Sequence, residues 1–194
     1  VMPPIHLSAN FTFEAYGCKR RYDYTRSGNP TRDLLAEALA ELEGGSGSIV
    51  TSSGMSAVHL VLQLLRPGDL LIAPHDCYGG TFRLMRALAE RGSLRVRFVE
   101  ASDPVRLGAA LEEQPAMLWI ETPSNPLLRI TDIETAAMQA HERGTLVAVD
   151  NTFLSPALQR PLEQGADIVV HSTTKYINGH SDVVGGAVCA LSPE

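Results

Sequence analysis

The strongest constraint on how this chain can fold is an alternation that runs through most of its length. Short apolar runs trade places with longer stretches in which apolar side chains recur every three or four positions. The runs 48–51, 70–73, 94–99, 117–121, 146–149 and 168–170 predict strands, and the stretches 56–65, 81–91, 104–113 and 133–143 predict the helices between them. A strand followed by a helix and another strand returns parallel to the first. The expected fold class is therefore α/β, a three-layer αβα arrangement around a mostly parallel sheet. Ligands of such folds bind beyond the carboxyl ends of the strands, so each strand exit is a place to look for chemistry.

Ahead of the repeat, Leu34, Leu35, Ala38, Leu39 and Leu42 recur at helical spacing from Thr31, with Asp33, Glu37 and Glu41 on the opposite face and Gly44-Gly45 as the stop. Residues 1–29 show little periodicity. The segment from Lys19 to Pro30 mixes basic and aromatic residues and is punctuated by Gly28-Asn29-Pro30, which reads either as an irregular arm or as a polar surface loop with amphipathic tyrosines. This divides the chain into an N-terminal arm with the first helix, residues 1–40, and a larger domain, residues 41–194.

A length of 194 residues, 44% of them hydrophobic, is enough for one sizeable core. The net charge of −6 offers no basic stripe for nucleic acid, and no apolar run is long enough to cross a membrane. Cys18, Cys77 and Cys189 show no C-x-x-C spacing, which argues against a disulfide framework and a zinc cage and suits a reducing cytoplasm. Residues 1–4 have neither a basic start nor an apolar core of a secretory signal, and the absence of a methionine at position 1 suggests a start inside a longer protein.

The exits hold the chemistry. Of the 16 cationic residues only Lys19 and Lys175 are lysines, so Lys175, following the last apolar run and Ser172 and Thr174, is a candidate for a reaction that needs an amine; a solvated lysine is the alternative. Ser52-Ser53-Gly54-Met55 opens a helix and forms either an anion site or an ordinary cap. Tyr78, before two glycines, could lie flat on a planar ligand, and Arg83, further along the same segment, could receive a carboxylate; a core tyrosine and a surface arginine are the competing readings. The adjacent His75, Asp76 and Cys77 cannot easily converge on one ion from an extended segment, so no metal site is expected. Asn125, between two prolines, leaves an amide free for a ligand oxygen. Asp150 emerges at the inner end of an apolar strand and needs a partner, which is either loop amides or a protonated ring nitrogen.

An amine, an acid for a ring nitrogen, a stacking tyrosine and an anion-cradling helix start together suit pyridoxal 5′-phosphate. At this point the chain resembles the cystathionine γ-synthase group of the Cys/Met-metabolism pyridoxal-phosphate enzymes of fold type I. The resemblance is carried by the stretches 24–31, 53–57, 74–80, 121–126, 149–153 and 171–176, with 74–80, 153–159 and 179–184 pointing to its bacterial γ-synthase members. It implies the large domain of that fold, incomplete at its C-terminal end, with the family's C-terminal small domain absent. It also implies Lys175, Asp150 and Tyr78 as catalytic residues: Lys175 takes the cofactor aldehyde and then moves protons, Asp150 holds the ring nitrogen, and Tyr78 stacks on the ring. Gly54, Met55, Ser172 and Thr174 would hold the phosphate, and Tyr24 and Arg26 would reach the phosphate of a neighbouring subunit in a homodimer or tetramer. Asn125 would meet the ring's O3′ or the substrate carboxylate, and Arg83 the distal carboxylate of a succinyl group. The implied substrates are small amino acids: O-succinylhomoserine and L-cysteine, joined by γ-replacement into L-cystathionine. The alternatives are a cystathionine or methionine lyase of the same family, or a cofactor-binding fragment without activity.

Overall fold

The computed structural model describes residues 2–191. Residues 2–29 form an irregular, mostly exposed arm with only isolated backbone bridges, Asn10 to Tyr24 and Ala15 to Cys18. The elements that follow are α1 (Pro30–Glu43), β1 (Gly47–Thr51), α2 (Gly54–Leu62), β2 (Leu70–Pro74), α3 (Gly79–Glu90), β3 (Arg95–Val99), α4 (Pro104–Leu111), β4 (Met117–Glu121), α5 (Ile133–His141), β5 (Leu146–Asp150), the single turn α6 (Ser155–Leu158), a 3-10 turn (Pro161–Gln164), β6 (Ile168–His171) and β7 (Gly186–Ala190). The expected boundary at residue 40 falls inside α1, which runs on to Glu43 and packs Leu39 into the core.

Helix starts follow local chemistry. Asn29 accepts from the Thr31 N–H with Pro30 at the first helical position, and Asp103 and Asp132 cap α4 and α5 in the same manner. α2 begins at Gly54 and α3 at Gly79, two residues earlier than the apolar periodicity predicts, because their first turns are glycine-bearing and give no periodic signal.

The strands form one seven-stranded sheet in the order β1-β7-β6-β5-β4-β2-β3. β3, β2, β4, β5 and β6 are mutually parallel, and β7 runs against both β6 and β1. The central strands β2 and β4 are buried throughout, whereas edge strand β3 alternates, with Arg95 and Arg97 facing out. One sheet face packs Ile72, Leu118, Ile120, Val147, Val149 and Val169 against α1, α4 and α5. The other packs Leu71, Ala73, Met117, Trp119, Ala148 and Val170 against α2 and α3. These two cores give the three-layer αβα arrangement, and the parallel strands deliver their C-terminal ends to one edge.

α1 departs from the expected orientation. Of its leucines only Leu39 is buried, beside Ala40 and Glu43, while Leu34, Leu35 and Leu42 are 42–48% exposed. The buried stripe is set by the partner Glu43 finds in the sheet: its Oε1 lies 2.5 Å from His171 Nε2, with both side chains fully buried.

Candidate active site

The exits of β1, β2, β4, β5 and β6 and the entry to β7 surround one pocket of about 300 Å³, the lower end of the size usual for small-molecule sites. It is lined by Ser53, Gly54, Met55, Tyr78, Thr81, Glu121, Asn125, Asp150, Thr152, Ser172, Thr174 and Lys175, among others. Eight of the eleven residues singled out in the sequence are among them, although they come from five separate strand exits. Arg83, on α3, is exposed and not part of the lining; its guanidinium lies beside Gly79, near Tyr78. Tyr24 and Arg26 also lie outside it, in the arm, with the Arg26 guanidinium 4.9 Å from the centre of the Tyr24 ring.

The anion end of the pocket is built by close backbone approach. α2 points its N-terminus into it, capped by Ser53, whose Oγ accepts from the Ser56 N–H at 3.1 Å. A Cβ on Gly54 would lie 2.6 Å from Ser172 Cβ, so only glycine lets the helix start and the β6 exit meet. Thr174 Oγ1 accepts from the Gly185 N–H at 3.0 Å, which holds the turn that carries Lys175.

The opposite end is acidic. Asp150 Oδ1 accepts from the N–H and the Oγ1–H of Thr152, at 3.0 and 2.5 Å, and Thr152 Oγ1 in turn accepts from the Ser172 N–H at 2.8 Å. Burial pushes the Asp150 carboxyl above its ordinary value, against the pull of these bonds and of the His171 and Lys175 charges. A carboxyl at a strand end whose only hydrogen bonds come from Thr152, among the described residues, suits a protonated ring nitrogen. The Tyr78 ring packs against Gly80: a Cβ there would fall 2.5 Å from the ring. Thr81 Oγ1, buried in the lining, finds no hydrogen-bond partner among the described residues. This orphaned hydroxyl, the Gly54 cradle and the amine of Lys175 fit a phosphorylated pyridine aldehyde.

Glu121 is the functional residue that the sequence reading passed over. It ends β4 as Asp150 ends β5, and the same signal, an acidic residue closing an apolar run, was there to find it. It is 6% exposed, and its carboxyl accepts from the backbone N–H of Tyr78, at 2.8 and 3.0 Å, and of Asn125, at 2.9 Å. Burial first, and Asp150 second, push it up to about 8. The neighbouring His75-Asp76-Cys77 run has its partners elsewhere. His75 Nδ1 meets the Val99 carbonyl at 3.0 Å, Asp76 accepts from Ser124 Oγ at 2.6 Å, and burial pushes the Cys77 thiol up to about 12.

Among the described residues no helix is long and apolar enough to cross a membrane. Over residues 1–194 the sequence matches the model of the Cys/Met metabolism PLP-dependent enzymes. It is 57% identical over 195 aligned residues to the cystathionine γ-synthase of Escherichia coli (strain K12), covering all of this chain and 50% of that protein. It is 46% identical over 189 residues to the cystathionine γ-lyase of Bos taurus, covering 97% of this chain and 47% of that one. The crystal structure of cystathionine γ-synthase from Xanthomonas oryzae pv. oryzae in complex with aminoacrylate and cysteine superposes with a TM-score of 0.97 at 61% identity, over 100% of this chain and 50% of that one. The chain thus spans about half the length of the relatives it matches. With a family match over every residue and a pocket of this composition, the chain belongs to the Cys/Met metabolism PLP-dependent enzyme family.

Proposed function

We propose that the full-length protein binds pyridoxal 5′-phosphate in this pocket and catalyses γ-replacement, in which O-succinylhomoserine and L-cysteine give L-cystathionine and succinate. The observation that carries this reading is the meeting, in one pocket, of the Lys175 amine, the Asp150 carboxyl and the N-terminus of α2. The higher identity to a γ-synthase, 57% against 46% for a γ-lyase, supports replacement over elimination. Bound there, the cofactor would supply an electron sink for carbanionic charge on the substrate.

The chain's own residues divide the remaining work. Gly54 and Met55 N–H groups and the Ser172 and Thr174 hydroxyls would hold the phosphate. Asp150 would pair with the ring nitrogen, Tyr78 would lie flat on the ring, and Asn125 would meet a ring oxygen or the substrate carboxylate. Lys175 would hold the aldehyde, and its Nζ, when free, is the base available to take a proton from substrate Cα. Across the whole reaction the ester Cγ–O bond breaks, a Cγ–S bond forms, and the thiol proton leaves with succinate. Arg83, beside Gly79, is assigned to the distal carboxylate of the succinyl group. Tyr24 and Arg26 are assigned to the phosphate site of a second copy, so that the site is shared across a homodimer or tetramer. We place the protein in the cytoplasm, where three cysteines without a bridge stay reduced.

A lyase of the same family is the second reading, favoured by the 46% identity to the bovine γ-lyase. Incubating the full-length protein with O-succinylhomoserine and cysteine separates the two. Cystathionine is the expected product; keto acid and ammonia in its place, with the cysteine unused, indicate the lyase, and neither product overturns both.

A further inference from the structure

Glu121 has no part in the proposed division of work, yet it holds two of its members. Its Cα is the register partner of the Asp150 Cα on the neighbouring parallel strand, and both residues line the pocket. Glu121 Oε1 accepts from the N–H of Tyr78 and of Asn125, at 3.0 and 2.9 Å, and Oε2 also accepts from the Tyr78 N–H, at 2.8 Å. One carboxyl at the end of β4 therefore fixes both the loop that leaves β2 and the loop that leaves β4.

The charge around it is one-sided. Asp150 stands beside it on β5, Asp76 and Cys77 approach from the β2 exit, and Tyr78 and Lys175 share the lining. Lys175 is the one lysine or arginine among the lining residues, and Arg129 reaches Asp76, at 4.0 Å, rather than Glu121. Two buried carboxyls on one wall, facing one amine, favour a proton on one of them. A proton on Oε2 weakens one of the two bonds from the Tyr78 N–H and leaves Oε1 accepting from both amides.

We propose that Glu121 is a positioning residue that holds Tyr78 and Asn125 in place, carries a proton in the ligand-free protein, and gives it up when a cationic aromatic ring enters the pocket. The rise of the Glu121 carboxyl to about 8 supports this, since a cation placed between two carboxyls lowers both. The inference rests on the pyridoxal-phosphate reading of the pocket.

The test uses the full-length protein freed of cofactor and 4′-deoxypyridoxine 5′-phosphate, which keeps the ring and the phosphate but has no aldehyde to engage Lys175. Calorimetric titration near neutral pH, in buffers of different ionisation enthalpy, counts the protons released. Wild type should release about one proton more than Glu121→Gln, and the variant's affinity should fall roughly tenfold because one acceptor is lost. Equal proton release, or an unchanged affinity, overturns the inference and leaves the cofactor reading in place, whereas no binding by wild type overturns both. Difference infrared spectra of both proteins locate the proton. The carbonyl stretch of a protonated carboxyl should vanish on binding in wild type and show no such loss in Glu121→Gln; a loss common to both, or absent from both, overturns the inference.

Discussion

Replacing Gly54 by alanine puts a methyl group where Ser172 already stands, 2.6 Å from its Cβ and 2.9 Å from its Cα. The second contact is to backbone, so a rotamer change cannot relieve it, and the start of α2 must move away from the β6 exit. Overpacking of this kind costs roughly 1–3 kcal/mol, and here it falls on the cradle assigned to the phosphate. The expected result is a cofactor affinity reduced by roughly ten- to a hundredfold, read by equilibrium dialysis of pyridoxal 5′-phosphate, together with a lower thermal transition of the ligand-free protein. Asp150 and Lys175 could be picked out from the sequence because each leaves a short apolar run with chemistry that a strand end does not need. Glu121 has the same setting, but its role lies in accepting N–H groups of Tyr78 and Asn125, and hydrogen bonds to backbone leave no mark on side-chain type.

At the scale of elements, the joint between α1 and the sheet depends on polar groups. Glu43 Oε1 meets His171 Nε2 and accepts from Asn151 Nδ2 at 2.9 Å, and Asn151 Oδ1 accepts from Gln159 Nε2 at 3.0 Å. Asn151 follows Asp150 and His171 precedes Ser172, so the network fixes the two strand exits from the face opposite the pocket. Glu43→Ala leaves His171 Nε2 buried without its hydrogen-bond partner, which costs about 1–3 kcal/mol. Chemical denaturation should show that loss, and Glu43→Gln, which keeps an acceptor oxygen, should lose less. Glu43 and His171 are 128 residues apart, and no local pattern announces that they meet.

On the scale of the whole molecule, α1 turns Leu34, Leu35 and Leu42 outward, next in sequence to an arm that carries Tyr24 and Arg26 away from the pocket of its own chain. An apolar stripe beside an arm with little core of its own fits a surface covered by another copy. If the arm completes a neighbour's site, Arg26→Ala and Lys175→Ala should each be nearly inactive alone. A mixture refolded together should regain activity, because hybrid dimers contain one site with both residues intact. Steady-state cystathionine formation measures it, and a mixture no more active than its parts would place Arg26 outside the shared site.

The sequence by itself determined the βα rhythm, the edge of the sheet where chemistry gathers, and the ordered amine, acid and glycine positions that suit one cofactor. Periodicity and residue type are local, and these features are written locally. Only the tertiary structure decided the rest. β7, Gly186–Ala190, lies beyond the last strand that the βα alternation marks, and its reversed direction follows from pairing with β6 and β1. Which face of α1 is buried was decided by His171 in the sheet rather than by the helix's own leucines. The pocket exists because five strand exits are brought side by side, and distance in space between residues far apart in the chain is a property of packing that no stretch of sequence contains.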